Sequence, residues 1–287
     1  MRIPMTGVPT CYSIPLRRSV RGLGAQPRRF LASTHPEVRR MTPAAYCQQR
    51  AAPSGSTLYY ALLFLAPELR RALLPIYAFH AEISESANCS DDPGVNDARL
   101  DWWQTELQRL GNGTPQHPVT QAMAEQANRQ EIHIDALMEV VIAYQRYLHS
   151  RPRTGEELLS HCRATGGALE IVATRASDCD DEQALHTACE LGAHIQRGEG
   201  VREAAVGPPT DSRSTLATPA QIVGDLQQAI SGVPAHARPT LRCPLSRARI
   251  LTAVFEKQQR SRSEYSSVPP SISPLRKLWI AWRTGSS

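Results

Sequence analysis

The sequence predicts an all-α fold. Apolar residues recur at steps of three and four through most of the chain, helix-start residues precede several of those runs, and no segment sustains the period-two alternation of a strand. At 287 residues with 41% hydrophobic content the chain can bury a sizeable core. No stretch approaches the roughly 18 consecutive apolar residues that a membrane span requires.

The elements follow in order. Residues 1–40 form a basic leader and residues 41–287 the helical domain. A helix over 43–52 starts with Thr42 as N-cap and Pro43 in the first turn. Pro53-Ser54-Gly55-Ser56 breaks it, and an apolar run covers 58–65. Pro67 opens a helix over 67–88, with Leu69, Leu73, Ile76, Tyr77 and His80 on one face and Pro75 as a kink position. The turn Asp91-Asp92-Pro93-Gly94 leads into a helix over 94–111, which buries Leu100, Trp103, Leu107 and Leu110.

Residues 119–150 hold two helices, the second built on Leu137, Val140, Val141, Tyr144 and Leu148. Thr154-Gly155-Glu156-Glu157 is a helix start, 156–175 runs through Gly166-Gly167, and 181–196 is helical. Gly198, Gly200, Gly207 and Pro208-Pro209 make 197–219 read as an irregular loop. Helices return over 219–231 and 239–262, and the tail ends in a basic, Trp-bearing segment.

Charge and cysteine usage narrow the setting. The net charge of +5 is modest, but the first 36 residues hold six arginines and no Asp or Glu. An Arg-rich, Ser-containing, acid-free start is the signature of a mitochondrial transit peptide, and Arg28-Arg29-Phe30-Leu31-Ala32-Ser33 reads as its processing site. Seven cysteines without a C-x-x-C pair point to free thiols rather than a disulfide framework or zinc site. Basic residues are not interleaved with aromatics along one groove, so no nucleic-acid partner is expected.

The segment Tyr46-Cys47-Gln48-Gln49-Arg50, Ser54-Gly55-Ser56-Thr57-Leu58-Tyr59-Tyr60 and the run from Ile76-Tyr77-Ala78-Phe79-His80 to Asn88 resemble the first helices of squalene and phytoene synthases. Asp101-Trp102-Trp103-Gln104, Gln116-His117-Pro118-Val119, Pro234-Ala235-His236 and Pro274-Leu275-Arg276-Lys277-Leu278-Trp279 extend the likeness. The resemblance implies an isoprenoid-synthase helical bundle around a central cavity. It also implies head-to-head condensation of prenyl diphosphates with Mg²⁺ held by aspartates four apart on one helical face. Ser54, Ser56 and Tyr59 align with residues that line the diphosphate pocket in active relatives, and their present role is expected to be capping and packing.

The metal motifs depart from that pattern. Ser84 and Asn88 stand where the first motif has its outer aspartates, with Glu85 between them. Where the second motif is expected, the chain reads Arg197-Gly198-Glu199-Gly200-Val201-Arg202-Glu203. Glu199 and Glu203 are four apart, but the glycines oppose a rigid helix and glutamate moves its oxygens outward by a methylene. The expectation is therefore a protein that is not an enzyme, with no catalytic residue, no metal and no cofactor. His80, Glu82 and Glu85 form a candidate acid–base group in which His80 is read as a packing residue. Asp97 and Asp101 read as a solvated helix start, and Asp178-Cys179-Asp180-Asp181 as an acidic turn with a capping Asp.

The tail places two tryptophans and three cations within residues 275–283, and Arg276, Lys277, Trp279, Trp282 and Arg283 are the expected membrane or partner contacts. One mitochondrial member of the family is an assembly factor for respiratory complex I. Together with the leader, this gives the functional expectation: a non-catalytic accessory subunit or assembly factor on the matrix side of the inner membrane. Its partners are then protein subunits of a respiratory complex, complex I favoured, with lipid contact through the last helix. A residual prenyl transferase or prenyl-lipid binder, and a structural subunit of ATP synthase or the mitochondrial ribosome, are the alternatives.

Overall fold

The computed structural model describes residues 41–126, 132–204, 217–261 and 270–285, and among them are twelve α-helices and no strand. The basic leader and its processing site lie outside the described residues. The helices are α1 (Pro43–Ala51), α2 (Thr57–Leu62), α3 (Pro67–Ser86), α4 (Pro93–Gly111), α5 (Pro118–Gln126) and α6 (Ile134–His149). They continue with α7 (Gly155–Cys162), α8 (Ala168–Arg175), α9 (Glu182–Ala204), α10 (Pro219–Ser231), α11 (Arg242–Ser261) and α12 (Pro274–Thr284). A π-turn over Arg163–Gly167 joins α7 to α8.

Local chemistry sets the starts. Thr42, Ser56, Asp92 and Thr154 each accept a backbone N–H of the first turn on a side-chain oxygen, which satisfies a donor that the helix leaves orphaned. Asp181 does the same for the Ala184 N–H at 2.8 Å. At α5 the acceptor is remote: Glu106, fully buried on α4, takes the Gln116 and His117 amides at 2.7 and 2.8 Å.

Packing divides the core. The largest cluster gathers α1, α3 to α6 and α8 around Phe79, Ile83, Leu100 and Leu107, with Trp103 edge-on to Phe79. A second joins α9, α10 and α11 around Leu191, Leu226 and Phe255. A third ties α2 and α11 to α12 through Tyr60, Ile250 and Ile280.

One element departs from the sequence reading. Residues 197–204 are not an irregular loop: α9 continues through Gly198 and Gly200 as a single helix of 23 residues. The reason is close packing. A Cβ on Gly198 would lie 2.6 Å from Leu251 Cδ2 of α11, and one on Gly166 would lie 2.9 Å from the Gly192 carbonyl oxygen of α9. These glycines let neighbouring helices approach, and the burial that follows outweighs a propensity cost of about 1 kcal/mol per glycine.

Candidate functional site

A cavity of about 660 Å³ is lined by residues of α1 to α3, α6 to α9, α11 and α12, a size within the range of small-molecule sites. Its floor is a buried polar cluster. The Tyr77 hydroxyl donates to Glu170 Oε2 at 2.9 Å and sits 3.4 Å from Cys243 Sγ. Arg247 pairs with Glu170, and its guanidinium lies 5.1 Å from the Tyr77 ring centroid. Burial pushes the Cys243 thiol up to about 12. Burial alone would lower Arg247, but the Glu170 carboxylate wins and holds it above its ordinary range. A charge in so dry a place persists only because it is paired.

Above the floor, His80 Nε2 and the Tyr144 hydroxyl are 3.1 Å apart, Gln196 Nε2 donates to that hydroxyl at 3.1 Å, and Thr165 donates to Gln196 Oε1 at 2.9 Å. Burial, then the Arg247 charge, lowers His80 to about 4, so it is neutral at pH 7. Tyr147, Leu158 and Leu169 add aromatic and apolar surface to the wall.

The rim carries the charges. Ser84 and Glu85 of α3 and Asn88 of the turn that follows it line it on one side, and Glu199, Arg202 and Glu203 of α9 also belong to the lining. Arg50 pairs with Glu85, and Arg202 holds Glu199 at 2.6 Å. Asn88 Nδ2 donates to the Ser84 carbonyl oxygen at 2.7 Å. Lys277 of α12 is buried and donates to the Gly55 carbonyl oxygen at 2.8 Å. No carboxylate pairs with it among the described residues. Burial lowers its pKa first, the like charge of Arg202 adds to that, and the Glu199 carboxylate opposes both without reversing them.

The structure thus brings Ser56, Ser84, Glu85, Asn88, Glu199 and Glu203 to one cavity. Ser54 is exposed at the turn, and Tyr59 packs edge-on against Tyr60, so neither lines the cavity. Glu82 accepts the Tyr46 hydroxyl at 2.6 Å and also lies outside the lining. Asp97 pairs with His149 at 2.9 Å and Asp101 accepts from Gln145, both away from the cavity. Lys277 is a correction: it faces inward and is no membrane contact, because the helix turns it opposite to Trp279. Sequence reasoning missed Tyr144, Glu170, Gln196 and Arg247. The available signal was a lone carboxylate inside the apolar run Ala168-Leu169-Glu170-Ile171-Val172.

The Mg²⁺ cluster implied by family resemblance meets a poor donor set here. Arg50 and Arg202 occupy the rim carboxylates Glu85 and Glu199, and the outer motif positions are a hydroxyl near the end of α3 and an amide in the turn after it. Among the described residues no three His, Cys, Asp or Glu side chains converge on a metal position. The residues present do not fit a multi-metal centre.

The squalene/phytoene synthase profile matches residues 51–206, more than half of the chain. A 15-cis-phytoene synthase of Synechococcus elongatus is 25% identical over 149 residues, covering 52% of this chain and 46% of that protein. The chain spans 30% and 46% of the first two curated relatives it matches. Among solved structures, a dehydrosqualene synthase in complex with ligand superposes with a TM-score of 0.63 at 17% identity, covering 85% of this chain and 95% of that one. The squalene synthase HpnC from Alicyclobacillus acidocaldarius gives 0.56 at 18%, covering 76% and 94%. These likenesses bear out the isoprenoid-synthase bundle. They overturn the expectation of a protein that is not an enzyme, because the matched profile and relatives are those of synthases. One premise of that expectation also fails in the structure, since α9 stays helical through Glu199 and Glu203 and both line the cavity.

Proposed function

The chain belongs to the squalene/phytoene synthase family, and on that premise we propose that its central cavity takes an isoprenoid bearing a diphosphate. One observation carries the reading: Lys277, a buried ammonium that no carboxylate meets in an ion pair among the described residues, lines the same cavity as Arg202, Tyr144, Tyr147 and Leu169. Lys277 favours an incoming anion, and Arg202 joins it by trading its part-exposed Glu199 partner for that anion. The polyprenyl chain would lie along Tyr77, Tyr144, Tyr147 and Leu169, and the neutral His80–Tyr144 pair would leave no net charge against it. In this reading lysine and arginine neutralise the head, so binding needs no divalent ion.

Titration of the purified chain with farnesyl diphosphate in excess chelator tests this. Binding should survive the chelator and weaken at least about tenfold in Lys277→Gln while Lys277→Arg retains it. Binding that requires Mg²⁺, or is unchanged in Lys277→Gln, sinks the reading.

The acid-free leader favours a second reading on address: a mitochondrial accessory subunit or assembly factor on the matrix side of the inner membrane, with complex I as the favoured partner. A reporter carrying residues 1–36 that stays cytosolic, or a native protein absent from high-mass respiratory complexes, would exclude it.

A further inference from the structure

Helix α12 presents two unlike faces. Lys277, Ile280, Ala281 and Thr284 are buried, at the spacing of one helical side. Leu275, Leu278, Trp279 and Trp282 fall within an arc of about 100° on the other side at 3.6 residues per turn. Leu275 is 78% exposed, and Trp279 and Trp282 are each more than half exposed. Of the five large apolar side chains exposed among the described residues, four lie on this helix of 11 residues. Such a concentration marks an interaction surface.

The exposed charges on α12 itself are positive. Arg276 and Arg283 are exposed and flank the stripe on the same side, and the Arg283 guanidinium lies 5.1 Å from the Trp279 ring centroid. Arg249 of α11 reaches α12 and donates to Thr284 Oγ1 at 3.2 Å. It lies near Arg238 as well as Arg283, and after burial their like charges lower its pKa. Residues 226–287 contain ten Lys and Arg against two Glu, and one of those, Glu256, lies 3.6 Å from Arg260. We propose that the outer face of α12, with the exposed Arg276 and Arg283 along its edge, docks the protein on an anionic lipid bilayer.

Charge complementarity chooses this occupant. A stripe of leucine and tryptophan edged by arginine matches the boundary between acyl chains and anionic headgroups, where indole rings settle and guanidinium groups meet phosphates. The helix lies in the plane of the surface, since no helix among the described residues is long and apolar enough to cross a membrane. The inner face of the same helix places Lys277 at the cavity, so docking would hold the site beside a source of apolar substrate. The docking proposal itself stands without the diphosphate reading.

Flotation of the full-length chain with vesicles tests it. The protein should float with phosphatidylcholine vesicles containing about 30 mol% phosphatidylserine, and not with phosphatidylcholine alone. Arg276→Gln with Arg283→Gln should lower partitioning about 30-fold, from roughly 1 kcal/mol per basic residue. Trp279→Ala with Trp282→Ala should lower it about tenfold or more and abolish the blue shift of Trp emission on adding vesicles. All four side chains are exposed, so both variants should keep the wild-type melting temperature. Partitioning that is unchanged in either double variant, or equal on neutral vesicles, overturns the proposal. So does a wild-type protein that ignores anionic vesicles and forms a dimer that Trp279→Ala with Trp282→Ala dissociates; α12 would then be a protein interface.

Discussion

The floor and the rim of the cavity use the same chemistry to different ends. Each pairs arginine with glutamate: Arg247 with Glu170 below, Arg50 with Glu85 and Arg202 with Glu199 above. The floor pair is sealed between Tyr77 and Cys243, whereas the rim pairs are part-exposed. A buried pair cannot exchange partners, because separating it strands a charge in a dry interior. A rim pair can trade its carboxylate for an incoming anion at little cost. Burial, not residue type, separates the fixed charges of this site from the exchangeable ones.

The largest expected effect breaks the floor. Arg247→Ala should cost about 3–5 kcal/mol in urea unfolding, and Glu170→Gln in the same chain should recover part of that by removing the stranded carboxylate. Arg202→Ala at the rim should cost under about 1 kcal/mol. Equal losses at the two positions would show that burial does not govern the difference.

The next prediction separates them by pH. His80 titrates near 4 when folded, below its ordinary 6.5, because burial and Arg247 disfavour its charged form. Below pH 6.5 the unfolded chain therefore takes up the proton first, and stability falls as pH drops from about 6.5 to 4. The contribution present above that window is on the order of 3 kcal/mol. His194, lowered to about 4 chiefly by burial, acts with the same sign. Chemical unfolding across this range should show His80→Gln with a shallower slope that is not flat. An unchanged slope would mean that His80 is not the titrating group.

The smallest effect concerns two glycines two residues apart on α9. Gly198→Val drives a side chain against Leu251 and should cost about 1–3 kcal/mol. Around Gly200, nothing beyond its chain neighbours and the backbone of its own helix lies within 4 Å of the place an added methyl group would take, so Gly200→Ala should raise stability by about 0.5–1 kcal/mol. Thermal melts of the two variants should move in opposite directions.

Much of the fold was legible because its signals are local. Thr42, Pro43, Thr154 and Asp181 start helices through bonds to their own neighbours, and the step of three and four in α3 and α6 needs no knowledge of a partner. Half of the site was legible too, since Ser56, Ser84, Glu85 and Asn88 sit in segments that resemble a known family and do line the cavity. Tyr144, Gln196, Glu170 and Arg247 were not, because each meets its partners across many tens of residues.

The sequence by itself determined the helical class, most helix starts and the resemblance to squalene and phytoene synthases, all of which rest on contacts within a few turns. Only the tertiary structure decided the course of α9 and the direction of Lys277. Gly198 reads as a helix breaker in isolation, but Leu251 packs against the space left by its missing side chain, and that packing is worth more than the lost propensity. Lys277 looks identical to Arg276 in a basic run, yet one step of 100° around α12 carries it from the surface to the Gly55 carbonyl. A sequence states which groups exist and how they repeat, whereas their desolvation depends on what the rest of the chain brings beside them.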